Sequence, residues 1–122
     1  MIDIQVVFKG SIKPSAPTPN HLRHYQLSFL DQIKPSYFMP MILFYSQEAQ
    51  TNILTEEQRS DTIKKSLSEA LTHFYPLAGR VKSKLYVDCN DEGAYYVEAG
   101  SKCQLSDILQ NPNLMTWTSF FH

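Results

Sequence analysis

SDTIKKSLSEALTHFYPLAGRV, residues 60–81, is the segment from which the fold can best be predicted. Its apolar residues recur with the 3.6-residue period that places side chains on one face of an amphipathic helix; they are Ile63, Leu67, Ala70, Leu71 and Phe74. Burying four of them, Ile63, Leu67, Leu71 and Phe74, would contribute about 6 to 12 kcal/mol before conformational entropy is counted. A helix of this kind needs a sheet to lie on.

The ends of the predicted helix differ in how sharply the sequence marks them. Two starts remain open: Ser60 can act as the N-cap, or Thr55 and Gln58 can form a capping box one turn earlier. The end is predicted at Pro76, because proline lacks an amide and disfavours a helical residue before it. Gly79 then permits a turn before a strand begins at Arg80.

Several strands are predicted before the helix. Residues Asp3–Lys9 and His24–Phe29 alternate as strands do, and the prolines between them predict an extended linker. Leu30–Lys34 is a turn or short helix. Residues Met41–Ser46 are almost all apolar, which is typical of a strand buried on both faces.

After the helix, the sequence predicts a hairpin. Lys84–Cys89 and Ala94–Glu98 would be its strands, with the turn at residues 90–93, where asparagine, aspartate and glycine tolerate positive φ. Leu105–Leu109 is at most a short helix. These elements together predict an α/β fold with a mixed sheet and one principal helix.

Composition limits the classes of function. The 122 residues are 43% hydrophobic and 19% charged, which is typical of a globular protein, and the net charge of −1 offers no electrostatic basis for binding nucleic acid or an anionic membrane. The sequence has no run long enough for a membrane helix and no basic, apolar signal segment. Cys89 and Cys103 are expected to be reduced thiols, which favours a cytoplasmic location.

Five separated segments resemble one family in their order and spacing. SLSEALTHFYPLAGRV (66–81), VDCNDEG (87–93) and YYVEA (95–99) are similar to the N-terminal signature of the plant BAHD acyltransferases, and so are KPSAPTPNHLRHYQLSFLDQI (13–33) and PMILFYS (40–46). The resemblance implies that residues 1–113 are an incomplete N-terminal domain of the two-domain, chloramphenicol acetyltransferase-like fold of CoA-dependent acyltransferases.

The same resemblance implies an activity. Members of the family move an acyl group from the co-substrate acyl-CoA to an alcohol or amine of a specialised metabolite, such as an alkaloid, and are expected to be monomeric. The histidine of a His-x-x-x-Asp motif is their general base. No histidine in this sequence has an aspartate four residues later, so we expect no catalysis from these 122 residues alone.

One set of candidate site residues follows from the resemblance. In the family, the acceptor tunnel is walled partly by the strand that corresponds to Pro40–Tyr45, which implies that Met39, Met41 and Leu43 contact the acceptor. Their apolar character suits a hydrophobic acceptor. A plain core role for the three side chains remains open, because a continuous apolar strand packs on both faces anyway.

Other polar residues are better explained by structure than by chemistry. Asp88 and Asp91 could share acid and base roles or hold a metal ion, but they flank a predicted turn, where aspartate caps the backbone. His73 suits the end of a helix, and His21 and His24 suit a linker and a strand surface. No catalytic residue, resident cofactor or metal ligand is therefore predicted.

The last residues lack any regular pattern. MTWTSFFH (115–122) has neither helical nor strand periodicity, which favours a shifted reading frame or alternative splicing at residues 114–122; a short native tail is the other interpretation. A second class of function follows: a truncated, non-catalytic product acting as an interaction or ligand-binding fragment. Such a fragment would leave strand edges and one helix face uncovered and could self-associate.

Overall fold

The computed structural model describes residues 4–37, 39–45 and 54–110. In chain order the elements are β1 (Ile4–Ile12), β2 (His24–Gln26), α1 (Phe29–Ile33), α2 (Glu56–His73), β3 (Arg80–Lys82), β4 (Tyr86–Asp88), β5 (Ala94–Ser101) and α3 (Leu105–Gln110). The α/β class with one main helix is confirmed. The proposed aberrant tail at 114–122 lies outside the described residues.

Helix α2 begins at the earlier of its two predicted starts. The Thr55 hydroxyl accepts a 3.2 Å hydrogen bond from the Gln58 amide, and the Gln58 side chain accepts a 3.0 Å bond from the Thr55 amide. This reciprocal capping box satisfies two amides that have no partner within the helix. Ser60 consequently lies inside the helix. At the other end Phe74 is the C-cap, so the helix ends just before Pro76, as predicted. Residues Tyr75–Ala78 then form a one-turn 3-10 helix.

The strands form two separate antiparallel sheets where the sequence predicted one mixed sheet. In the long sheet, β1 pairs with β5 from Ile4 opposite Ser101 to Ile12 opposite Ala94. In the short sheet, β4 lies between β2 and β3. Strand β2 ends earlier than predicted, because the Ser28 side chain caps α1 and accepts a hydrogen bond from the Asp31 amide at 3.2 Å.

The predicted hairpin between residues 84–89 and 94–98 is wrong. Strand β4 pairs with β3 instead, through a turn whose central residues Ser83 and Lys84 have φ of 52° and 58°, the positive values of a type I′ turn. Residues 89–93 cross from the short sheet to the long one. The amide of Cys89 donates to the Arg23 carbonyl and that of Gly93 to the Ala78 carbonyl, so neither is available for a hairpin ladder.

A glycine is required at position 79 because its neighbours leave no room for a side chain, and not because the backbone turns there. Its φ of −95° is open to any residue. A Cβ atom there, however, would lie 2.5 Å from the Asp88 carbonyl oxygen and 2.8 Å from Cγ1 of Val87. The glycine therefore allows the chain leaving α2 to pass directly against β4.

Helix α2 does not bury its whole apolar face. Leu71 is buried and Leu67 is half-buried, but Ile63 is 48% and Phe74 63% exposed, and Ala70 is also exposed. The prediction that Ile63 and Phe74 are core residues is therefore wrong. We call Ile63, Ala70 and Phe74 the uncovered stripe.

Polar side chains make the contact between α2 and the proline-rich linker. Ser68 donates a 2.8 Å hydrogen bond to the Lys13 carbonyl, and the Thr72 hydroxyl accepts a 2.9 Å bond from the Ser15 amide. The half-buried arc of α2 is thus rotated by roughly a quarter turn from its apolar arc, at about 100° per residue. The helix rests on the proline-rich linker and leaves part of its apolar surface open.

The apolar core in the described residues is small. Its fully buried members are Leu71, Ala78, Val87 and Cys89, whereas 21 large hydrophobic side chains are exposed. Single exposed hydrophobics are ordinary, but an imbalance of this size is not typical of a self-sufficient domain. The described ranges contain no helix that is long and apolar enough to cross a membrane.

Candidate functional site

The three predicted acceptor-site residues lie in an irregular segment. Residues 39–45 form no strand, so the strand predicted from Met41 is wrong for this part of the chain. A strand requires a hydrogen-bonded neighbour, and no described strand pairs with this segment. Met39, Met41 and Leu43 are 73%, 75% and 65% exposed.

The segment nevertheless keeps an alternation of exposure along its length. Ile42 is half-buried and Phe44 is 47% exposed, whereas Tyr45 is 82% exposed. The side chains of Met39, Met41, Leu43 and Tyr45 are thus more exposed than those of Ile42 and Phe44. We call Met39, Met41 and Leu43, the three that the family resemblance assigns to the acceptor, the apolar row.

A second feature is an open cleft of about 780 Å³ between the first half of α2 and the long sheet. Its apolar lining comes from both elements: Val7, Phe8, Ile63, Tyr96 and Ala99. Three acidic side chains, Glu56, Glu57 and Asp61, and the basic side chain of Arg59 also lie along it. The cleft therefore combines an apolar interior with a mainly acidic rim.

Helix and sheet are joined at this cleft by a polar network. The Ser60 hydroxyl donates a 2.6 Å hydrogen bond to the Glu98 carboxylate, and Nζ of Lys64 lies 3.1 Å from the same oxygen. Nζ also lies 4.3 Å from the centroid of the Phe8 ring, within cation-π range. The hydrogen bond from Ser60 and then the bond and charge of Lys64 lower the pKa of Glu98.

The Asp91 side chain is hydrogen-bonded to the linker. Its carboxylate accepts a 3.0 Å hydrogen bond from the Thr18 amide and a 2.6 Å bond from the Thr18 hydroxyl, with the Arg23 guanidinium at 3.5 Å. Burial opposes ionisation, but the bonds from Thr18 and the positive charges of Arg23 and Lys13 prevail and lower the pKa of Asp91. This agrees with a structural role for the aspartate.

The remaining candidates are also engaged in packing. The His24 ring stacks on Tyr86 with centroids 4.1 Å apart, and His73 lies in the last turn of α2. Cys89 is fully buried, and its burial and the nearby charge of Asp88 raise the pKa of the thiol, so it is not a reactive thiolate. Within 4–37, 39–45 and 54–110, no group of three histidine, cysteine or acidic side chains could hold a metal ion.

The model of the Transferase family matches residues 2–122. Akuammiline synthase 2 from Alstonia scholaris is 44% identical over 123 residues, and stemmadenine O-acetyltransferase from Catharanthus roseus is 44% identical over 108; these alignments cover 98% and 88% of this chain. They cover 26% and 25% of the relatives, so the chain spans about a quarter of the length of the relatives it matches.

A solved structure extends the likeness to three dimensions. The crystal structure of vinorine synthase superposes with a TM-score of 0.80 at 46% sequence identity, over 86% of this chain and 25% of that one. Its identity is high enough for the match to reflect common descent as well as a common fold. With the family match over residues 2–122, this establishes that the chain belongs to the Transferase family, as a member of the plant BAHD acyltransferases.

Proposed function

We propose that this chain is the scaffold and acceptor-binding portion of an enzyme that transfers an acyl group from acyl-CoA to an alcohol or amine of a plant alkaloid or a related metabolite. The observation that carries the proposal is the family match, which spans residues 2–122. The named activities of the relatives agree with it, since stemmadenine O-acetyltransferase transfers an acetyl group to an oxygen.

The acceptor would contact the apolar row of Met39, Met41 and Leu43. Three flexible or branched apolar side chains on one side of a segment suit the hydrophobic skeleton of such a metabolite, and they would exclude water from the reacting hydroxyl. Their exposure of 65% to 75% leaves them available for this contact. Their role is to bind and orient, not to move a proton.

The general base would come from outside these 122 residues. Three of the histidines, His21, His24 and His73, are followed four positions later by Tyr25, Ser28 and Leu77, and His122 is the final residue. The family's His-x-x-x-Asp motif is thus absent from this sequence. That absence favours the second candidate, a non-catalytic interaction or ligand-binding fragment, for the 122-residue chain by itself.

A chimera tests the proposal. The segment of stemmadenine O-acetyltransferase that matches this chain, 25% of that relative, would be replaced by the corresponding residues here. We expect the chimera to acetylate stemmadenine with acetyl-CoA within about tenfold of the parent rate, a loss of about 1.4 kcal/mol or less in transition-state stabilisation. A soluble, folded chimera without activity would contradict the proposal.

A direct assay separates the two candidate functions. The 122-residue chain would be incubated with acetyl-CoA and a panel of alcohols. We expect no turnover above the uncatalysed rate, because no histidine in the sequence is paired as the family's general base requires. Turnover by the chain alone would exclude the non-catalytic interpretation and assign the base to one of its own residues.

The compartment that fits this chemistry is the cytoplasm. Cys89 is a buried free thiol and Cys103 is a half-buried one, and reduced cysteines persist where glutathione and thioredoxin keep thiols reduced. A fluorescent fusion in plant cells would test this location. Fluorescence confined to the secretory pathway would contradict it.

A further inference from the structure

Two uncovered apolar features of this chain adjoin each other. The uncovered stripe runs along α2 at Ile63, Ala70 and Phe74, and Ile63 also lines the cleft between α2 and the long sheet. Leu77, just past the helix, is 71% exposed. Together the cleft and the stripe form one apolar surface along the helix.

This surface is built into the fold. Helix α2 is fixed in its rotation by hydrogen bonds on its other side, where Ser68 donates to the Lys13 carbonyl and Thr72 accepts from the Ser15 amide, and by the bond from Ser60 to Glu98. Turning the helix to bury Ile63 and Phe74 would break all of these bonds. The helix therefore presents the stripe in a set orientation, which lowers the entropic cost of binding a partner.

The comparison with vinorine synthase indicates what covers the surface. The same arrangement, at a TM-score of 0.80, occurs there as 25% of a much longer chain. The other three quarters of such a chain are available to complete a core with this quarter. A partner that fits would present apolar side chains to the stripe and basic groups to the acidic rim of the cleft at Glu56, Glu57 and Asp61.

We infer that the cleft and the uncovered stripe are a docking surface for the complementary portion of a BAHD acyltransferase, and that this chain can bind that portion as a separate polypeptide. The inference rests on the proposed function. A second copy of this chain is a poorer fit, because a two-fold interface across the cleft would bring the acidic rims of both copies together.

Co-expression tests the inference. The tagged 122-residue chain would be produced together with vinorine synthase lacking the quarter that matches it. We expect the two polypeptides to co-purify at a one-to-one ratio. Ile63→Glu and Phe74→Glu should each reduce the captured partner at least tenfold, since a buried carboxylate without a counter-ion strongly disfavours an interface.

The control is Lys65→Glu, which adds the same side chain to the opposite, exposed side of α2. It should leave capture within about twofold of the unmodified chain, since surface substitutions away from a contact have small effects. Circular dichroism of each variant checks that α2 is retained, and Ile63 and Phe74 are exposed enough for the isolated chain to tolerate the change.

Several outcomes would overturn the inference. They are failure to recover a soluble complex, equal capture by the stripe variants and the unmodified chain, and a discrete dimer of this chain that excludes the partner and is lost in Ile63→Glu. Acetyl transfer is scored separately from capture. A complex without activity contradicts the proposed function alone, whereas an active chimera without capture contradicts the docking inference alone.

Discussion

The hydroxyl of Ser60 on α2 lies 2.6 Å from the carboxylate of Glu98 on β5, and this hydrogen bond spans 38 residues of sequence. With Lys64 on the same oxygen, it fastens the first turns of the helix to the long sheet. The orientation of α2 is thus held by polar bonds, while its apolar stripe, roughly a quarter turn away at about 100° per residue, is open to a partner.

We predict that Glu98→Gln makes the chain less stable at neutral pH and removes part of its sensitivity to acid. The pKa of Glu98 is lowered below 4.5 in the folded state, so its stabilising contribution is complete above 4.5 and is lost as the pH falls through the lowered value. The difference in melting temperature between the unmodified chain and Glu98→Gln should therefore be largest above pH 4.5 and shrink as the pH falls below it.

The control for this titration is Glu69→Gln, which changes an exposed carboxylate on the same helix. Its melting temperature should follow that of the unmodified chain at each pH. A difference for Glu98→Gln that stays constant down to the acid limit would show that the bonds from Ser60 and Lys64 do not stabilise the charged carboxylate.

Asp91→Asn should destabilise the chain by about 1–3 kcal/mol, because the buried Thr18 loses a charged acceptor for its amide and hydroxyl. Asparagine tolerates the φ of 59° at this position, so the change tests the bonds and not the backbone. Urea unfolding measures the difference. Asp61→Asn, which changes an exposed carboxylate on α2, is the control, and an equal effect of both changes would refute the role given to Asp91.

Alanine substitutions at two glycines, compared with each other, test how closely β4 packs against the chain that leaves α2. Gly79→Ala places a Cβ atom 2.5 Å from the Asp88 backbone oxygen and should cost about 3 kcal/mol, the upper part of the range for overpacking. Gly100→Ala has no atom within 4 Å of the new Cβ and should change stability by less than about 0.5 kcal/mol. Similar unfolding free energies for the two variants would contradict the close approach of β4 to Gly79.

In the stemmadenine O-acetyltransferase chimera, Met41→Ser should raise the KM for stemmadenine about tenfold or more and leave the KM for acetyl-CoA within about twofold. Removing an apolar wall side chain costs about 1 to 3 kcal/mol of acceptor binding. Leu30→Ser, at a side chain that is also exposed but lies in α1, is the control. Equal effects on both substrates would argue that Met41 is a core residue.

Local sequence signals predicted which helices and strands form better than they predicted which of these elements pair with one another. The capping box at Thr55 and Gln58 and the end near Pro76 both act within a few residues, and both are present. The hairpin was mispredicted because the pairing of β4 depends on bonds from Cys89 and Gly93 to distant carbonyls, which no local pattern reveals. The Thr18 partner of Asp91 was missed for the same reason.

The apolar segments show a second limit, on how well burial can be predicted from the sequence. Ile63, Phe74 and Met41 have the composition of core residues, but the described part of the chain supplies nothing to cover them. Periodicity shows which face of an element is apolar and does not show which polypeptide will bury it. The family match accounts for the disagreement, because the relatives that share this fold are about four times as long as this chain.

The described elements form an incomplete core, and the solution behaviour of the purified chain is the sharpest test of this. Sedimentation velocity and thermal unfolding would be measured over a range of concentrations, with the binding of an apolar dye. We predict dye binding, concentration-dependent association and a broad transition, because the exposed apolar surface is large. A monomer at all concentrations, with a single sharp transition and no dye binding, would show that the core is complete.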